Sequence, residues 1–408
     1  MSKFSLVQPV VYVTRDLERS LGLPLNTVNY YIISNFSPFA KSICEDSKNV
    51  LLIRSKRILD TWELLARPET KEFVEKIKNV QFLVFKPTTK IEQVCLDNGW
   101  RLLNPGAKLS SFVEEKISQV EWLGAMAQDL LPSFEIKECS KVEWVGKPFV
   151  LQFNFAHTGT GTILIKNKRQ LLSVKKKFPD RPVRVTKYIV GSMFTSNNVV
   201  WGQKVLSGNI SYQITGLKPF TCNRFATIGN DWSLPDKILT STQRKEYEKI
   251  VQLVGGRLVE SGWKGLFGVD VILEQSTGKL YLIEINARQP ASASLESQLQ
   301  ILVSTAPDLT PSTTFYTHLC ALLGVRYVSQ KIVEIKTGAQ LVSRVTEPKM
   351  RRLSEKKNLQ AVARGFKIYN YNNIKPEADF TRFQISESLM AGHNELNELG
   401  VFLRDLIQ

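Results

Sequence analysis

The first hundred residues alternate short apolar segments with amphipathic ones. Residues 28–34, 49–55 and 80–85 are apolar and rich in β-branched or aromatic side chains, which is typical of strands. Residues 61–77 and 90–100 carry apolar side chains at helical spacing. Because strands that alternate with helices favour crossover connections, we predict a parallel α/β domain at this end of the chain.

The pattern changes after a polar break at residues 104–111. Ser111 and Glu114 have capping-box spacing, and the helical apolar period that follows ends before Pro132, so we predict one helix here. Strand-like segments then dominate until a long helix at about 240–262. The fold class predicted for the whole chain is therefore mixed α/β (α+β).

Two apolar segments within residues 267–288 (FGVDVILEQSTGKLYLIEINAR) predict a β-hairpin. Residues 276–278 suit a three-residue loop that ends in a left-handed position, where Gly278 fits best. This register places Gln275 opposite Lys279, and it predicts every pair further along the two strands.

The same register brings two acidic residues together. Asp270 falls opposite Glu284, with Cβ atoms expected about 4.5–5.5 Å apart, and Asn286 shares their face. Two carboxylates at about 5 Å repel by about 3 kcal/mol at an effective dielectric of 20, so a buried pair needs a cation. Oxygen ligands without His or Cys suit Mg²⁺ completed by phosphates, and Arg288 would neutralise phosphate oxygens beside it. The alternative is a strand pair whose acids face solvent or cations elsewhere in the protein.

Residues 152–165 (QFNFAHTGTGTILI) predict a strand, a glycine-containing loop and a second strand. Such a loop either offers donors to phosphates or forms a plain hairpin turn. It is not a dinucleotide fingerprint, because a strand follows it and the third glycine is missing, and the Walker A pattern is absent from the chain. His157, His318 and His393 have no companions that would indicate nucleophilic catalysis.

Composition narrows the choice of partners. The net charge of +16, from 54 Lys and Arg against 38 Asp and Glu, favours anionic partners. The basic stretch at residues 166–177 lacks interleaved aromatic residues, which ranks nucleic acid below nucleotide as primary partner. The five scattered cysteines, the lack of a signal-peptide pattern and the lack of a long apolar run predict a cytoplasmic protein without a membrane span.

Taken in order, the motifs of residues 1–300 resemble the ATP-grasp superfamily, most specifically in the combination GVD…EINAR. The resemblance implies a three-part organisation: a Rossmann-like pre-ATP-grasp domain at 1–105, an ATP-grasp domain at 106–305 with lobes at about 106–189 and 190–305, and a carboxyl-terminal extension of undetermined fold at 306–408.

The resemblance also implies the metal ligands and the catalytic residues. Asp270, Glu284 and Asn286 would hold magnesium, or alternatively manganese, against the phosphates of ATP. Arg288 would steady the transferred phosphoryl group, and Lys204, in the segment GQKV, would be a second catalytic cation that binds phosphate.

Further positions are implied to bind the nucleotide. Lys116, in EEKIS, resembles a phosphate-binding lysine, and the segment VTKYIVG resembles the hinge whose backbone meets adenine. The implied nucleotide-binding residues are Lys116, Gln152, Thr158, Gly159, Thr160, Gly161, Thr162, Lys187, Tyr188 and Ile189.

Two positions depart from the family pattern. Gln152 stands where the family usually has a lysine before the glycine loop, and Met193 stands where a carboxylate often meets the ribose. Glutamine brings no charge, and a charge-assisted hydrogen bond is about twice as strong as a neutral one, so we expect weaker ATP binding.

The function implied is an ATP-dependent carboxylate–amine ligase that forms an acyl phosphate and releases ADP and phosphate, with a thiol acceptor less favoured. Such chemistry requires positioning and electrostatic stabilisation and no protein nucleophile. The expected partners are small-molecule or peptide carboxylates and amines, with an acidic acceptor favoured by the basic charge, and a homodimer is compatible with the sequence. The alternatives are an inactive nucleotide-binding interaction module and a nucleic-acid-binding protein.

Overall fold

The computed structural model describes residues 4–44, 47–154, 161–304, 311–326, 331–347, 353–371 and 373–408. Within these ranges the strands form three larger sheets and one two-stranded ribbon. The mixed α/β class is therefore confirmed. No helix in these ranges combines the length and the apolarity needed to cross a membrane.

The amino-terminal sheet is parallel and buried on both faces. Its elements are β1 (Ser5–Thr14), β2 (Val28–Asn35), α1 (Pro38–Cys44), β3 (Val50–Ile53), α2 (Thr61–Leu65), α3 (Pro68–Glu75), β4 (Gln81–Val84), α4 (Thr89–Asp97) and β5 (Arg101–Leu102). The strand order is β3-β2-β1-β4-β5, and every pair is parallel, as predicted. Val11 and Phe82 pack in the core on one side of the sheet, while Tyr12 packs on Phe315 on the other. Two-sided burial explains the nearly continuous apolar runs in these strands.

Three short helices follow where the sequence predicted one: α5 (Ala107–Glu114), α6 (Ser118–Leu123) and α7 (Met126–Leu130). The single-helix prediction is wrong, because Gly124 has a φ of +58° that ends α6, and a non-helical turn at residues 115–117 separates α5 from α6. Ser111 lies inside α5, whose amino-terminal cap is Gly106. The turn carries Lys116, one of the predicted nucleotide-binding residues.

A small antiparallel sheet comes next. Its elements are β6 (Phe134–Glu138), β7 (Phe149–Phe153), β8 (Thr162–Ile165), α8 (Lys168–Lys177) and β9 (Pro182–Lys187). The strand order is β6-β9-β7-β8, which makes β7 and β9 neighbours. Leu151, Ile165 and Val183 pack in its own core, so this sheet has an independent apolar face.

The largest sheet is antiparallel and contains the predicted hairpin. Its first elements are β10 (Gly191–Trp201), β11 (Lys204–Leu206), β12 (Ser211–Thr215), β13 (Thr227–Asp231), α9 (Pro235–Ile238), α10 (Ser241–Glu260), β14 (Gly265–Glu274), β15 (Leu280–Asn286), α11 (Ala293–Val303) and α12 (Thr314–Leu322). The long helix predicted near residues 240–262 is α10. It packs on the apolar face of the sheet, where the Tyr247 hydroxyl donates to the Val269 carbonyl at 2.8 Å.

The last hundred residues extend the same sheet. Their elements are β16 (Ala339–Arg344), α13 (Glu355–Ala363), β17 (Lys367–Asn370), β18 (Asp379–Ile385), β19 (Met390–Gly392), β20 (Glu395–Leu396) and α14 (Glu398–Ile407). The strand order is β15-β14-β10-β12-β13-β16-β18-β17, with β11 pairing beside β10, while β19 and β20 form the separate ribbon. The strands of the extension are thus continuous with the second lobe, and the domain limits at residues 105 and 305 stay predictions.

Candidate functional site

The hairpin of β14 and β15 differs from the predicted register near its loop. Leu273 pairs with Leu280, so the connection spans residues 275–279, and the predicted pairing of Gln275 with Lys279 is wrong. Gly278 has a φ of +70°, which is the left-handed conformation expected there. The loop is longer than predicted because Lys279 closes it by accepting a hydrogen bond from the backbone of Glu274.

A bulge in β15 restores the predicted geometry at the acidic residues. Val271 pairs with Leu282, but Asp270 pairs with Glu284, which leaves Ile283 as an extra residue. Asn286 pairs with Gly268 and shares the face of Asp270, to which its side-chain amide donates at 3.3 Å. The three predicted metal ligands are therefore neighbours on one face.

The two carboxylates differ in environment. Asp270 is buried and accepts a hydrogen bond from the Thr195 hydroxyl at 2.6 Å, whereas the side chain of Glu284 is 38% exposed. Burial, and then the charge of Glu284, raise the pKa of Asp270 to about 6. The free protein thus keeps two acids side by side at an electrostatic cost.

Lys116 supplies a cation to this pair. Its ammonium lies 2.9 Å from Glu284 Oε2 and 3.5 Å from the carbonyl of bulged Ile283. Burial opposes ionisation of Glu284, but Lys116, followed by Arg288 and Arg184, outweighs it and lowers the pKa of Glu284. The structure therefore brings Lys116 to the predicted metal ligands.

The turn that carries Lys116 is fixed by the end of β7. Asn154 accepts a hydrogen bond from the Ile117 amide at 2.9 Å and donates to Glu115 Oε2 at 2.5 Å. The small sheet thereby determines where Lys116 lies relative to the large sheet.

Arg288 extends the group towards the amino-terminal domain. Its Nη2 donates to Asn286 Oδ1 at 2.7 Å, and its Nε lies 3.1 Å from Glu114 Oε1. Its guanidinium also lies 5.3 Å from the ring centre of Phe85, just beyond the carboxyl end of β4. Arg288 therefore joins the predicted metal ligands to the edge of the parallel sheet.

Gln152, the residue that replaces the expected lysine, is paired with an arginine. Gln152 and Arg184 lie opposite each other in β7 and β9, and Arg184 Nε donates to Gln152 Oε1 at 2.9 Å. Arg184 is 2% exposed, and burial lowers its pKa to about 10, against the opposing influence of Glu284. Sequence reasoning missed Arg184, although the alternating segment VRV places this one charged residue on the face opposite two valines.

The predicted hinge connects β9 to β10. The Lys187 ammonium lies 2.6 Å from Glu274, the Tyr188 hydroxyl accepts from Arg224 at 2.9 Å, and Ile189 is buried. The side chains of Lys187 and Tyr188 are thus engaged with the protein, and the Lys187 amide donates to the Ser133 carbonyl at 3.1 Å.

The glycine loop is described only at its end. Thr158, Gly159 and Thr160 lie outside the described residues. The Gly161 carbonyl accepts from the Phe153 amide at 2.9 Å, and Thr162 begins β8 opposite Gln152.

Lys204 is not brought to the group. It lies in β11 opposite Trp201, six residues along β10 from Thr195, the strand neighbour of Asp270. At about 3.3 Å per residue, that separation is about 20 Å. Its position therefore gives no support to the predicted catalytic role.

A polar stripe continues from Asp270 across the large sheet, and sequence reasoning missed it as well. Asn230 donates to Ser211 at 3.1 Å, Gln340 donates to Asn230 at 2.9 Å, and Arg382 donates to Gln340 at 2.9 Å. Each of these side chains is buried. The strands in question are far apart in sequence, so only the sheet order reveals the stripe.

The donor set fits magnesium bound with phosphates. Two carboxylates and one amide oxygen are hard ligands, and Mg²⁺ is commonly held by one or two carboxylates plus substrate phosphates. Among the described residues, no group of three or more His, Cys, Asp or Glu side chains could hold a metal by itself. Lys116 supplies a positive charge beside the two carboxylates. These residues therefore fit a metal ion that binds together with phosphate.

Comparison with known proteins agrees with this geometry. A family model of the ATP-grasp domain matches residues 113–292. No curated protein sequence matches the chain. N5-carboxyaminoimidazole synthetase from Staphylococcus aureus, solved with ADP, is 13% identical with a TM-score of 0.65, and the match covers 100% of this chain and 99% of that one.

Two further solved structures share the fold. The N5-carboxyaminoimidazole synthase of Aspergillus clavatus, solved with ADP and 5-aminoimidazole ribonucleotide, is 15% identical with a TM-score of 0.65 over 100% of this chain and 99% of that one. The biotin carboxylase domain of Hydrogenobacter thermophilus 2-oxoglutarate carboxylase, solved with MgADP and bicarbonate, is 12% identical with a TM-score of 0.63 over 93% of this chain and 86% of that one. Residues 113–292 therefore match an ATP-grasp domain, and the whole chain shares its fold with these solved structures.

Proposed function

We propose that the chain is an ATP-dependent carboxylate–amine ligase. The observation that carries the proposal is the opposed pair of Asp270 and Glu284, which is held by Lys116 and joined through Asn286 to Arg288. Two acids and two cations within one hydrogen-bonded group suit a metal–triphosphate complex, because each charge has an opposite charge to meet.

Asp270, Glu284 and Asn286 would hold Mg²⁺, or alternatively Mn²⁺, which when bound would polarise the phosphate oxygens of ATP. Asn286 Oδ1 now accepts from Arg288, so metal binding would release this guanidinium. In the same way, a metal on Glu284 would release the ammonium of Lys116. Both cations would then be available for phosphate oxygens.

The chemistry follows from this placement. A carboxylate oxygen of the first substrate attacks the γ-phosphorus, the β–γ bridging P–O bond breaks, and ADP leaves with the electron pair. The amine nitrogen of the second substrate then attacks the acyl carbon, phosphate leaves, and the amine proton passes to solvent. Lys116 and Arg288 stabilise the charge that develops in the first step, which is electrostatic catalysis from fixed groups.

The remaining nucleotide contacts are proposals of the same kind. The backbone of Lys187, Tyr188 and Ile189 would meet adenine, and Gly161 and Thr162 would border the phosphates. Solved structures of the same fold contain ADP or MgADP, which supports a nucleotide as the ligand. Lys204 is left out because of its distance from Asp270. An acidic acceptor, a homodimer and a cytoplasmic location stay predictions.

The test is release of ADP from ATP and Mg²⁺ in the presence of a matrix of small carboxylic acids and amines. We expect turnover with one productive pair and a loss of about 100-fold or more in Glu284→Gln. Glu260→Gln is the matched control, because Glu260 is exposed on α10 and its ion pair is with Arg257 on the same helix. Equal turnover of Glu284→Gln and the parent would refute the metal assignment. Stabilisation by Mg-ATP without turnover on the whole matrix would favour the interaction module instead.

A further inference from the structure

Arg184 is a buried cation with neutral partners. It is 2% exposed, and its side-chain hydrogen bonds go to the amide oxygens of Gln152, at 2.9 Å, and Gln119, at 3.4 Å. No carboxylate among the described residues lies within ion-pair distance of it. The acid that influences it is Glu284, whose own nearest cation is Lys116.

A guanidinium that is removed from water is costly unless an anion or a full set of acceptors replaces the water. Arginine has five donors, and two amide oxygens do not satisfy them. Arginine also remains protonated where a buried lysine would lose its charge readily. A permanent positive charge has therefore been built into this position without a permanent counter-charge.

The surroundings of Arg184 show which anion would meet it. Gln152 lies in β7, and Asn154, just beyond the end of this strand, fixes the turn that carries Lys116. Arg184 influences Glu284 electrostatically, as Lys116 does. Arg184 lies on the small sheet and also donates to Gln119, three residues after Lys116. Both cations therefore act on Glu284, beside which the proposed function places the phosphates.

We propose that Arg184 binds the polyphosphate of ATP and supplies the charge that Gln152 lacks, with Gln152 positioning its guanidinium. This inference rests on the proposed function, since it assigns a residue to the same nucleotide site. The positive charge lies on β9 rather than on the neighbouring strand β7. Together, Gln152 and Arg184 replace a single phosphate-binding lysine at position 152. Binding of ATP is therefore not weakened by Gln152.

The experiment measures the Kd of Mg-ATP and of Mg-tripolyphosphate by calorimetry, together with the melting temperature without ligand. Arg184→Met should raise the Kd of both ligands by about 10- to 100-fold, as expected for the loss of hydrogen bonds to a charged group. Arg184→Lys should lie between Arg184→Met and the parent. Arg169→Met is the matched control, because Arg169 is exposed on the basic helix α8 of the same lobe, and it should leave both Kd values within about twofold.

The decisive variant is the double substitution Gln152→Lys with Arg184→Met. It returns a positive charge to the neighbouring strand and should recover most of the lost affinity. A purely structural arginine would instead lower the melting temperature and leave both Kd values of the folded protein unchanged, and that result would overturn the inference. The inference would also be overturned if the double variant folded as the parent does and bound the two ligands no better than Arg184→Met.

The two ligands separate this inference from the function on which it rests. If tripolyphosphate bound in an Arg184-dependent way and Mg-ATP did not bind, the contact of Arg184 with polyphosphate would be supported and the nucleotide site refuted. Binding of neither ligand to the parent would overturn both. Binding of Mg-ATP that is indifferent to Arg184 would overturn this inference alone.

Discussion

The two sheets that meet at the site stabilise their charged groups in different ways. On the large sheet, Glu284 is paired with Lys116, and Asp270 accepts hydrogen bonds from Thr195 and Asn286. On the small sheet, Arg184 is bonded to neutral amides. The carboxylates of the large sheet are neutralised by cations from neighbouring segments, whereas the guanidinium of Arg184 on the small sheet has no carboxylate beside it among the described residues. We infer that ligand binding rearranges the acidic side and neutralises the basic side.

The largest expected effect comes from removing one of the opposed acids. Asp270→Asn should lower kcat by about 100- to 1000-fold, because a metal ligand is lost. The same change should raise the free energy of unfolding without metal by about 1–3 kcal/mol, since two like charges no longer face each other. Rates of ADP release and urea unfolding curves at neutral pH measure the two quantities.

The essential result for Asp270→Asn is that activity falls while stability rises. A variant that lost both would show that Asp270 is a structural residue, held for its hydrogen bond to Thr195. Thr195→Val separates these roles, because it removes that hydrogen bond and keeps the carboxylate. It should lower stability and reduce kcat by less than tenfold.

Removal of the Lys116 ammonium should have an intermediate effect on stability and on nucleotide binding. Lys116→Met leaves Glu284 without its ion pair, so we expect the melting temperature without Mg²⁺ to fall and the Kd of Mg-ATP to rise about tenfold. Mg-ATP at the same concentration should then stabilise the variant by fewer degrees than it stabilises the parent, because ligand-induced stabilisation falls as the Kd rises. Lys141→Met, which removes an exposed ion pair with Glu138, serves as the control and should change neither quantity.

His318 offers a contrast with Arg184, since it is a buried base that gives up its charge. Burial lowers the pKa of His318 to about 3, and its Nδ1 accepts from the Leu266 amide at 2.9 Å. Between pH 6.5 and 3 the unfolded chain therefore binds a proton at His318 that the folded chain does not bind, so its contribution to stability is complete above pH 6.5 and is lost as the pH falls.

The slope from this residue approaches about 1.4 kcal/mol per pH unit in that window. His318→Asn keeps an acceptor for the Leu266 amide and removes the titration, so its free energy of unfolding should depend less steeply on pH between 6.5 and 4. Urea unfolding at a series of pH values measures the difference. Parallel curves for the parent and the variant would show that His318 is protonated in the folded state.

The sequence predicted the acidic pair together with Arg288 and Lys116, but not the buried Arg184. The pairing of Asp270 with Glu284 was correct although the register near the loop was off by one, because the bulge at Ile283 compensates for the longer loop. Local alternation reveals which residues share a strand face, and it cannot reveal a bulge. Arg184 was missed for a related reason: its partner Gln152 lies in a different strand, and only the observed order β6-β9-β7-β8 makes them neighbours.

The fold was predicted best where contacts are local. The parallel amino-terminal domain and helix α10 follow from periodicity and turn residues over short stretches. The joining of β16 to β13 and the polar stripe through Gln340 depend on pairing between strands about 110 residues apart, which no local pattern encodes. The break at Lys116 was missed because the apolar period runs through it, while the side chain of Asn154 interrupts the helix from outside.

The smallest expected effect concerns Lys204, whose predicted role and observed place disagree. Its strand pairs with the end of β10 that lies about 20 Å from the neighbour of Asp270, so an ammonium there contributes little to phosphate binding across water and salt. Lys204→Met should change kcat and the KM for ATP by less than about twofold, whereas Lys116→Met raises the Kd of Mg-ATP about tenfold. Steady-state kinetics of both variants at the same ionic strength make the comparison. A loss of tenfold or more in Lys204→Met would show that the hairpin of β10 and β11 moves onto the phosphates during turnover, and it would restore the catalytic assignment made from the sequence.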